Sequence, residues 1–199
     1  ERINSGTLTW QEFGGTHPKP AGNRICAGMI DQLFDGGWQK ELPADARPVA
    51  HVLPRESLDS KNYGKGRFVE LSRATLKGGW QIRTPDWKAL PGGKRSRFTS
   101  IPMLTADEGG AELELEFNGT AVGAYVVAGP DAGILEARVD DGEFEPVDLY
   151  HRYSKGLHYP RTVMFAADLP AGTHLLTVRV SAETRSSGHA ARIMKFVAN

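Results

Sequence analysis

A histidine set among prolines is the first residue of this chain that could do chemistry. In "EFGGTHPKPAG", residues 12 to 22, His17 precedes Pro18 and stands three before Pro20. The two pyrrolidine rings restrict the backbone around it, which suits a side chain that must hold one direction. A neutral imidazole can take a proton from a hydroxyl at hydrogen-bond distance. General-base work is therefore what His17 offers, with capping of a helix start as the structural alternative.

Further candidates lie in the second half of the chain. In "AGPDAG", residues 128 to 133, Asp131 sits in a tight turn where Pro130 fixes one dihedral and Gly129 and Gly133 permit unusual ones. Its carboxylate could accept hydrogen bonds from a sugar or a catalytic partner, or close an Asx turn on its own backbone. "DLYHRYSKGLHYP" gathers Tyr150, His151, Tyr153, His158 and Tyr159. Aromatic faces stack on sugar C–H surfaces, so Tyr150, Tyr153 and His158 are candidate ligand-binding residues; core residues alternating across a strand would read the same way. No carboxylate joins His151 and His158 at ligand spacing, so neither a zinc site nor any cofactor is expected. Cys26, the single cysteine, excludes an internal disulfide and a thiolate cluster and reads as a buried, inert thiol.

Three regions would position these residues. In residues 1–37, Ile25, Met29, Ile30, Leu33 and Phe34 fall on one helical face, and Gly36 and Gly37 could close that helix in the left-handed conformation. Residues 38–65 lack periodicity and hold Pro43, Pro48 and Pro54, as an extended connector would. From residue 66 the period is two. In "AELELEF", Ala111, Leu113, Leu115 and Phe117 face one way and the glutamates between them the other, as in a half-buried antiparallel strand. Asn118-Gly119 reads as a hairpin turn. "AVGAYVVAG" reads as a more buried strand, and further pairs are expected around Asp141-Gly142 and a Leu-Pro-Ala-Gly turn at 169–172. The fold class expected is mainly β: an antiparallel two-sheet β-sandwich, jelly-roll-like, over 66–199, preceded by one helix. Trp80 and Trp87 are expected to pack in a core or at a domain interface. Asn118-Gly119-Thr120 matches a glycosylation sequon that the turn already explains, and "GKRSR" at 93–97 reads as a solvated basic loop.

The 199 residues can bury a proper core. Lysine plus arginine equals aspartate plus glutamate at 24 each, so no overall field favours nucleic acid or an anionic membrane. No apolar run approaches the roughly 18–20 residues that span a bilayer. The chain starts at Glu1 without an initiator methionine or signal segment, and a processed product or fragment is expected.

"GGTHPKPAGNRICAGMIDQLF" resembles the closing block of the SGNH/GDSL hydrolases, in which a loop carries the catalytic histidine ahead of the last helix. The resemblance implies that His17 is the general base, and that residues 1–37 are the C-terminal fragment of an SGNH-type α/β domain. In the family an aspartate three residues before the histidine orients the ring; here that position is Gly14. Glu12 is near in sequence but is not assigned the role. The family's Gly-Asp-Ser block, with the serine nucleophile, has no counterpart here, nor do the glycine and asparagine of its oxyanion hole. "LDS" at 58–60 lies downstream of the histidine, and Ser60 reads as a connector residue.

The remaining sequence looks like the β-sandwich appended to a group of bacterial SGNH/GDSL hydrolases, with "GPDAG" and "SSGHAARI" its most distinctive parts. The resemblance implies acyl-ester hydrolysis, deacetylation of a carbohydrate, by a secreted or periplasmic enzyme. The expected partners are a carbohydrate or acyl-ester substrate and an N-terminal SGNH domain, or a partner chain, supplying the nucleophile. Nucleic acid and membrane are not expected. The alternative is a non-catalytic β-sandwich that binds glycan or packs against an enzyme.

Overall fold

In the computed structural model residues 1–39, 41–50, 52–59 and 62–199 are described. Ser60, expected to be a connector residue, lies outside them. The chain divides into two compact units, Glu1–Arg55 and Glu56–Asn199.

The first unit is helical. Helix α1, Trp10–Phe13, opens on a reciprocal cap: the Thr9 side chain accepts from the Glu12 backbone, and the Glu12 carboxylate accepts from the Thr9 N–H. Gly14 closes it in the left-handed region at φ 107°. Helix α2, Pro20–Trp38, has proline in its first turn, where no intrahelical N–H is required. One helix was expected from the sequence; the additional α1 is one turn, too short for a period to show. Gly36 and Gly37 do not terminate α2. They are helical themselves and the helix runs on to Trp38, capped by Gln39 at ordinary right-handed angles. The apolar stripe is there but uncovered: Met29, Ile30, Leu33, Phe34 and Trp38 are all more than half exposed, and Gly22 is the buried residue of the helix.

The second unit holds eleven strands among the described residues. β1 is Arg67–Val69, β2 Ala74–Leu76, β3 Gln81–Arg83, β4 Met103–Ala106, β5 Glu112–Gly119 and β6 Val122–Ala128. β7 is Ile134–Val139, β8 Glu145–Asp148, β9 Tyr159–Ala166, β10 Gly172–Val180 and β11 Ala191–Ala198. One sheet runs β3-β4-β11-β6-β9, with β1 also on β11; the other runs β2-β5-β10-β7-β8. All named pairs are antiparallel. The fold is a mainly β, two-sheet sandwich preceded by helix.

The alternation read in β5 decides the core. Leu113, Leu115 and Phe117 point inward with Leu135, Leu176 and Val178 of the same sheet, against Leu104, Val126, Ile193 and Phe196 of the other. A smaller cluster lies on the opposite face of the first sheet. There Met103, Val127 and Met194, the strand neighbours of Leu104, Val126 and Ile193, pack with Phe98, Trp87 and Tyr125. Short helix α3, Ser96–Thr99, belongs to the segment covering them. Trp80 lies in the main core and Trp87 beside the smaller one.

Two expected hairpins are sheet crossings. β5 and β6 belong to different sheets, as do β9 and β10, so Asn118-Gly119 and the Leu-Pro-Ala-Gly turn carry the chain from one layer to the other. Gly119 is required there by a close approach: a Cβ would overlap the carbonyl oxygen of Asn199. Asp141-Gly142 does join a hairpin, β7 to β8. The residue with positive φ is Asp140, at 54°. Its carboxylate accepts from the Leu175 N–H at 2.9 Å and from His174 Nδ1 at 2.7 Å, while His174 Nε2 donates to the Pro170 carbonyl at 2.9 Å.

Both nitrogens of His174 thus face acceptors, which favours the doubly protonated ring. Its pKa is raised, first by the Asp140 bond and then by the Pro170 carbonyl. The stability this adds is complete below the ordinary histidine value and is lost as pH rises through the raised one. Chemical denaturation across a pH series should show the difference in unfolding free energy between wild type and His174→Gln shrinking as pH climbs above the ordinary histidine range. A pH-independent difference would show that the clip does not titrate.

Candidate functional site

His17 stands in the bend between α1 and α2. The bend is tied by Gly14 and Gly15 N–H groups donating to the Trp10 carbonyl and by the Lys19 N–H donating to the Phe13 carbonyl at 3.0 Å. Gly22 lies against Phe13, where a Cβ would overlap the Phe13 carbonyl oxygen. The ring is exposed, without a hydrogen-bond partner among the described residues. Position 14 has no space for a side chain: its φ is 107° and a Cβ would overlap the Lys19 nitrogen. Glu12 is committed elsewhere. Bonds from the Thr9 N–H at 2.8 Å and the Thr9 hydroxyl at 2.7 Å hold its carboxyl below the ordinary range.

Asp131 is placed on the sandwich by a buried ion pair. Arg192 Nη1 donates to Oδ1 at 2.9 Å and Nη2 to Oδ2 at 2.6 Å, a bidentate fork. Arg192 is 2% exposed. Burial pushes the Asp131 pKa up, but the Arg192 bonds and charge outweigh it, so the net direction is down. The backbone completes the tie, with the Ala190 N–H donating to the Asp131 carbonyl at 2.8 Å. Arg192 was missed in the sequence. The available signal was an arginine between Ala191 and Ile193 in an otherwise apolar strand, since a buried charge must be paired.

The aromatic cluster is built from a different trio than expected. His151, Tyr153 and Tyr159 lie with ring centroids 5.2–5.4 Å apart, and Tyr150 makes no ring contact with them. Their loop is anchored by Ser154, fully buried, whose hydroxyl donates to the Ala128 carbonyl at 3.0 Å. Arg152 lies over the Tyr153 ring. His158 is elsewhere: 1% exposed, edge-on to Trp87, with Nε2 2.9 Å from the Pro91 carbonyl. A carbonyl can only accept, so Nε2 carries the proton and the buried Nδ1 is an unpartnered lone pair. Burial, the largest influence, lowers the pKa and keeps the ring neutral. Gly129 allows this packing, because a Cβ there would overlap the imidazole. The structure therefore brings Asp131 and His158 within electrostatic reach of each other and of Arg192, with Trp87 touching both the Arg192 guanidinium and the His158 ring. Among the described residues no group of three or more His, Cys, Asp or Glu side chains is placed to hold a metal ion. No helix there is long and apolar enough to cross a membrane.

No protein-family model and no curated protein sequence matches the chain. Solved structures do. The chain is similar to a two-domain esterase (CEX) active on acetylated mannans, with a TM-score of 0.68 and 16% identity over 99% of this chain and 52% of that one. It is similar to a two-domain esterase of the same description co-crystallized with mannopentaose, at TM-score 0.66 and 16% identity over 99% of this chain and 51% of that one. At this identity the likeness shows the fold. The chain spans about half the length of these structures.

Two substitutions check the local geometry. Asp131→Ala leaves Arg192 buried without its counter-charge and should cost about 3–5 kcal/mol of stability at neutral pH. In wild type the same contribution should fade only as pH drops below the ordinary carboxylate range, since the folded pKa is lowered. Gly14→Asp should destabilise the helical unit by at least about 1–2 kcal/mol, read as lost helical circular dichroism on mild heating. An unchanged melt in either variant would contradict these packings.

Proposed function

We propose that this chain is the C-terminal half of a two-domain carbohydrate esterase of the SGNH/GDSL type. Residues 1–37 would complete its α/β hydrolase domain, 38–65 connect, and 66–199 form the accessory β-sandwich. The observation that carries the reading is that the helical segment and the sandwich together follow half of a two-domain esterase fold over 99% of this chain. That esterase is active on acetylated mannans, and an acetylated polysaccharide is the substrate class proposed here. The uncovered face of α2 supports the reading, since Leu33 and Trp38, 76% and 73% exposed, are what a helix closing a larger α/β core would bury. A polysaccharide substrate places the enzyme outside the cytoplasm.

In this reading His17 takes the proton of a serine hydroxyl supplied by the preceding domain or a partner chain. The serine oxygen attacks the acetyl carbonyl, and the tetrahedral intermediate expels the sugar oxygen, which takes the proton from the imidazolium. Water then enters by the same route, releasing acetate and free serine. Gly14 leaves no carboxylate at the usual orienting position. The second ring nitrogen would be held instead by a backbone carbonyl or by a carboxylate from elsewhere.

Acetate release from acetylated mannan tests this, using the protein with the segment encoded upstream of Glu1. The longer protein should be active, this chain alone inactive, and His17→Ala should lower kcat by about 10²–10⁴-fold with KM little changed. Full activity in His17→Ala would overturn the assignment. The second reading, a glycan-binding sandwich without catalysis, is favoured by the His151-Tyr153-Tyr159 cluster, in which Tyr153 is exposed and the other two rings are half-buried, and calorimetric titration with plain and acetylated oligosaccharides addresses it.

A further inference from the structure

His158 is a buried side chain with no place for a second proton. It stands immediately before β9, 1% exposed, and its Nε2 donates to the Pro91 carbonyl at 2.9 Å. Nδ1 is buried without a partner. It faces the backbone of Gly129, where a Cβ would come within 2.2 Å of both Nδ1 and Cε1. A proton added at Nδ1 would point at a methylene group, with no acceptor and no room for a water to supply one.

What the ring fastens is the segment between β3 and β4, residues 84–102. Pro91 belongs to it, and two backbone bonds reinforce the tie. The His158 N–H donates to the Gly93 carbonyl at 2.9 Å, and the Gly93 N–H donates to the Gly156 carbonyl at 2.8 Å, making a parallel bridge of Gly93 and Leu157. Trp87 of the same segment lies edge-on to the imidazole, with centroids 5.1 Å apart. The segment in turn lays Phe98 and Trp87 over Met103, Val127 and Met194 on the outer face of the first sheet. That cluster is small beside the main core, so the segment is held by less burial than the strands beneath it and is the part that opens first.

The charged groups facing the ring are Arg192 from β11, Asp131 from the turn after β6 and Lys94 from the segment itself. Asp131 is already bound to Arg192 through both oxygens. Burial is the largest influence holding the His158 pKa below its ordinary value, and Arg192 and Lys94 add to it; the Pro91 bond and Asp131 oppose them without reversing the direction.

We propose that His158 is an acid-released latch: protonation of its buried ring frees the 84–102 segment and uncovers the apolar patch at Met103, Val127 and Met194. Neutral, the ring holds the segment closed; charged, it must leave its niche to be solvated. The stability of the closed state is full above the ordinary histidine value and is lost as pH falls through the lowered one. The Asp131–Arg192 pair persists over this range, because the Asp131 carboxyl titrates below the ordinary carboxylate value. His174 works in the opposite sense, gaining its charge as pH falls. The latch lies within the second unit and does not depend on His17 or on hydrolysis.

Hydrogen exchange of the full 199-residue chain at about pH 7.5 and about pH 5, corrected for the intrinsic pH dependence of exchange, tests this at the amides of Gly93 and His158. In wild type their opening should grow by up to about tenfold per pH unit through the window below the ordinary histidine value, while the amides pairing β5 with β10 keep their protection. His158→Gln cannot take up a proton, so its Gly93 amide should open equally at both pH values. The His158 ring should titrate below the ordinary histidine value by NMR, a measurement that needs no variant to fold. Equal protection of the two wild-type amides at both pH values overturns the latch. So does a parallel loss in the β5–β10 amides, acid-dependent opening in folded His158→Gln, or a ring that titrates at or above the ordinary value.

Discussion

Strand β11 has apolar neighbours on both of its faces, and much of the second unit follows from that. Ile193 and Phe196 enter the main core while Met194 enters the smaller cluster opposite, so no side of the strand is left to water near its start. Arg192 lies in this stretch. A guanidinium so enclosed is tolerable only with an opposite charge in hydrogen-bond contact, and Asp131 supplies it through two bonds. The ion pair therefore fixes more than its own energy. It pins the turn after β6 to the start of β11.

The first unit obeys a different constraint. Its two helices meet through glycines, Gly14 at a left-handed cap and Gly22 against Phe13, so the bend carrying His17 is shaped by backbone contact rather than by a core. Steric exclusion at position 14 makes the absence of a side chain there a requirement of the backbone. Leu33 and Trp38 of α2 remain at the surface with Met29, Ile30 and Phe34, and hydrophobic area of that extent on a helix is characteristic of an interface.

The layer architecture was legible from β5, because strict alternation over seven residues leaves one interpretation, and glycine- and proline-rich turns between strands implied a sandwich. What turns do not encode is the sheet to which the next strand goes. Asn118-Gly119 satisfies the local demands of a hairpin and of a crossing equally, and the choice is made by burial of β5 and β6 in opposing layers. Gly36 and Gly37 likewise permit a left-handed stop without requiring one. His17 and Asp131 could be named as candidates by type and context, but Arg192 is 61 residues from its partner. Tyr150 and His158 show the limit from the other side: proximity in sequence put them with Tyr153, whereas a buried serine and a tight glycine direct the loop so that His158 turns inward.

The outermost strands of the two sheets have a consequence for how the molecule behaves among its copies. β8 bounds one sheet and β9 the other, and each contains a proline, Pro146 and Pro160. Proline presents no N–H, so a chain arriving alongside finds a gap in the ladder it would need to extend. Lateral growth into fibrils is discouraged at these two sheet edges by the covalent chemistry of one residue each, the opposite edges being β2 and β3.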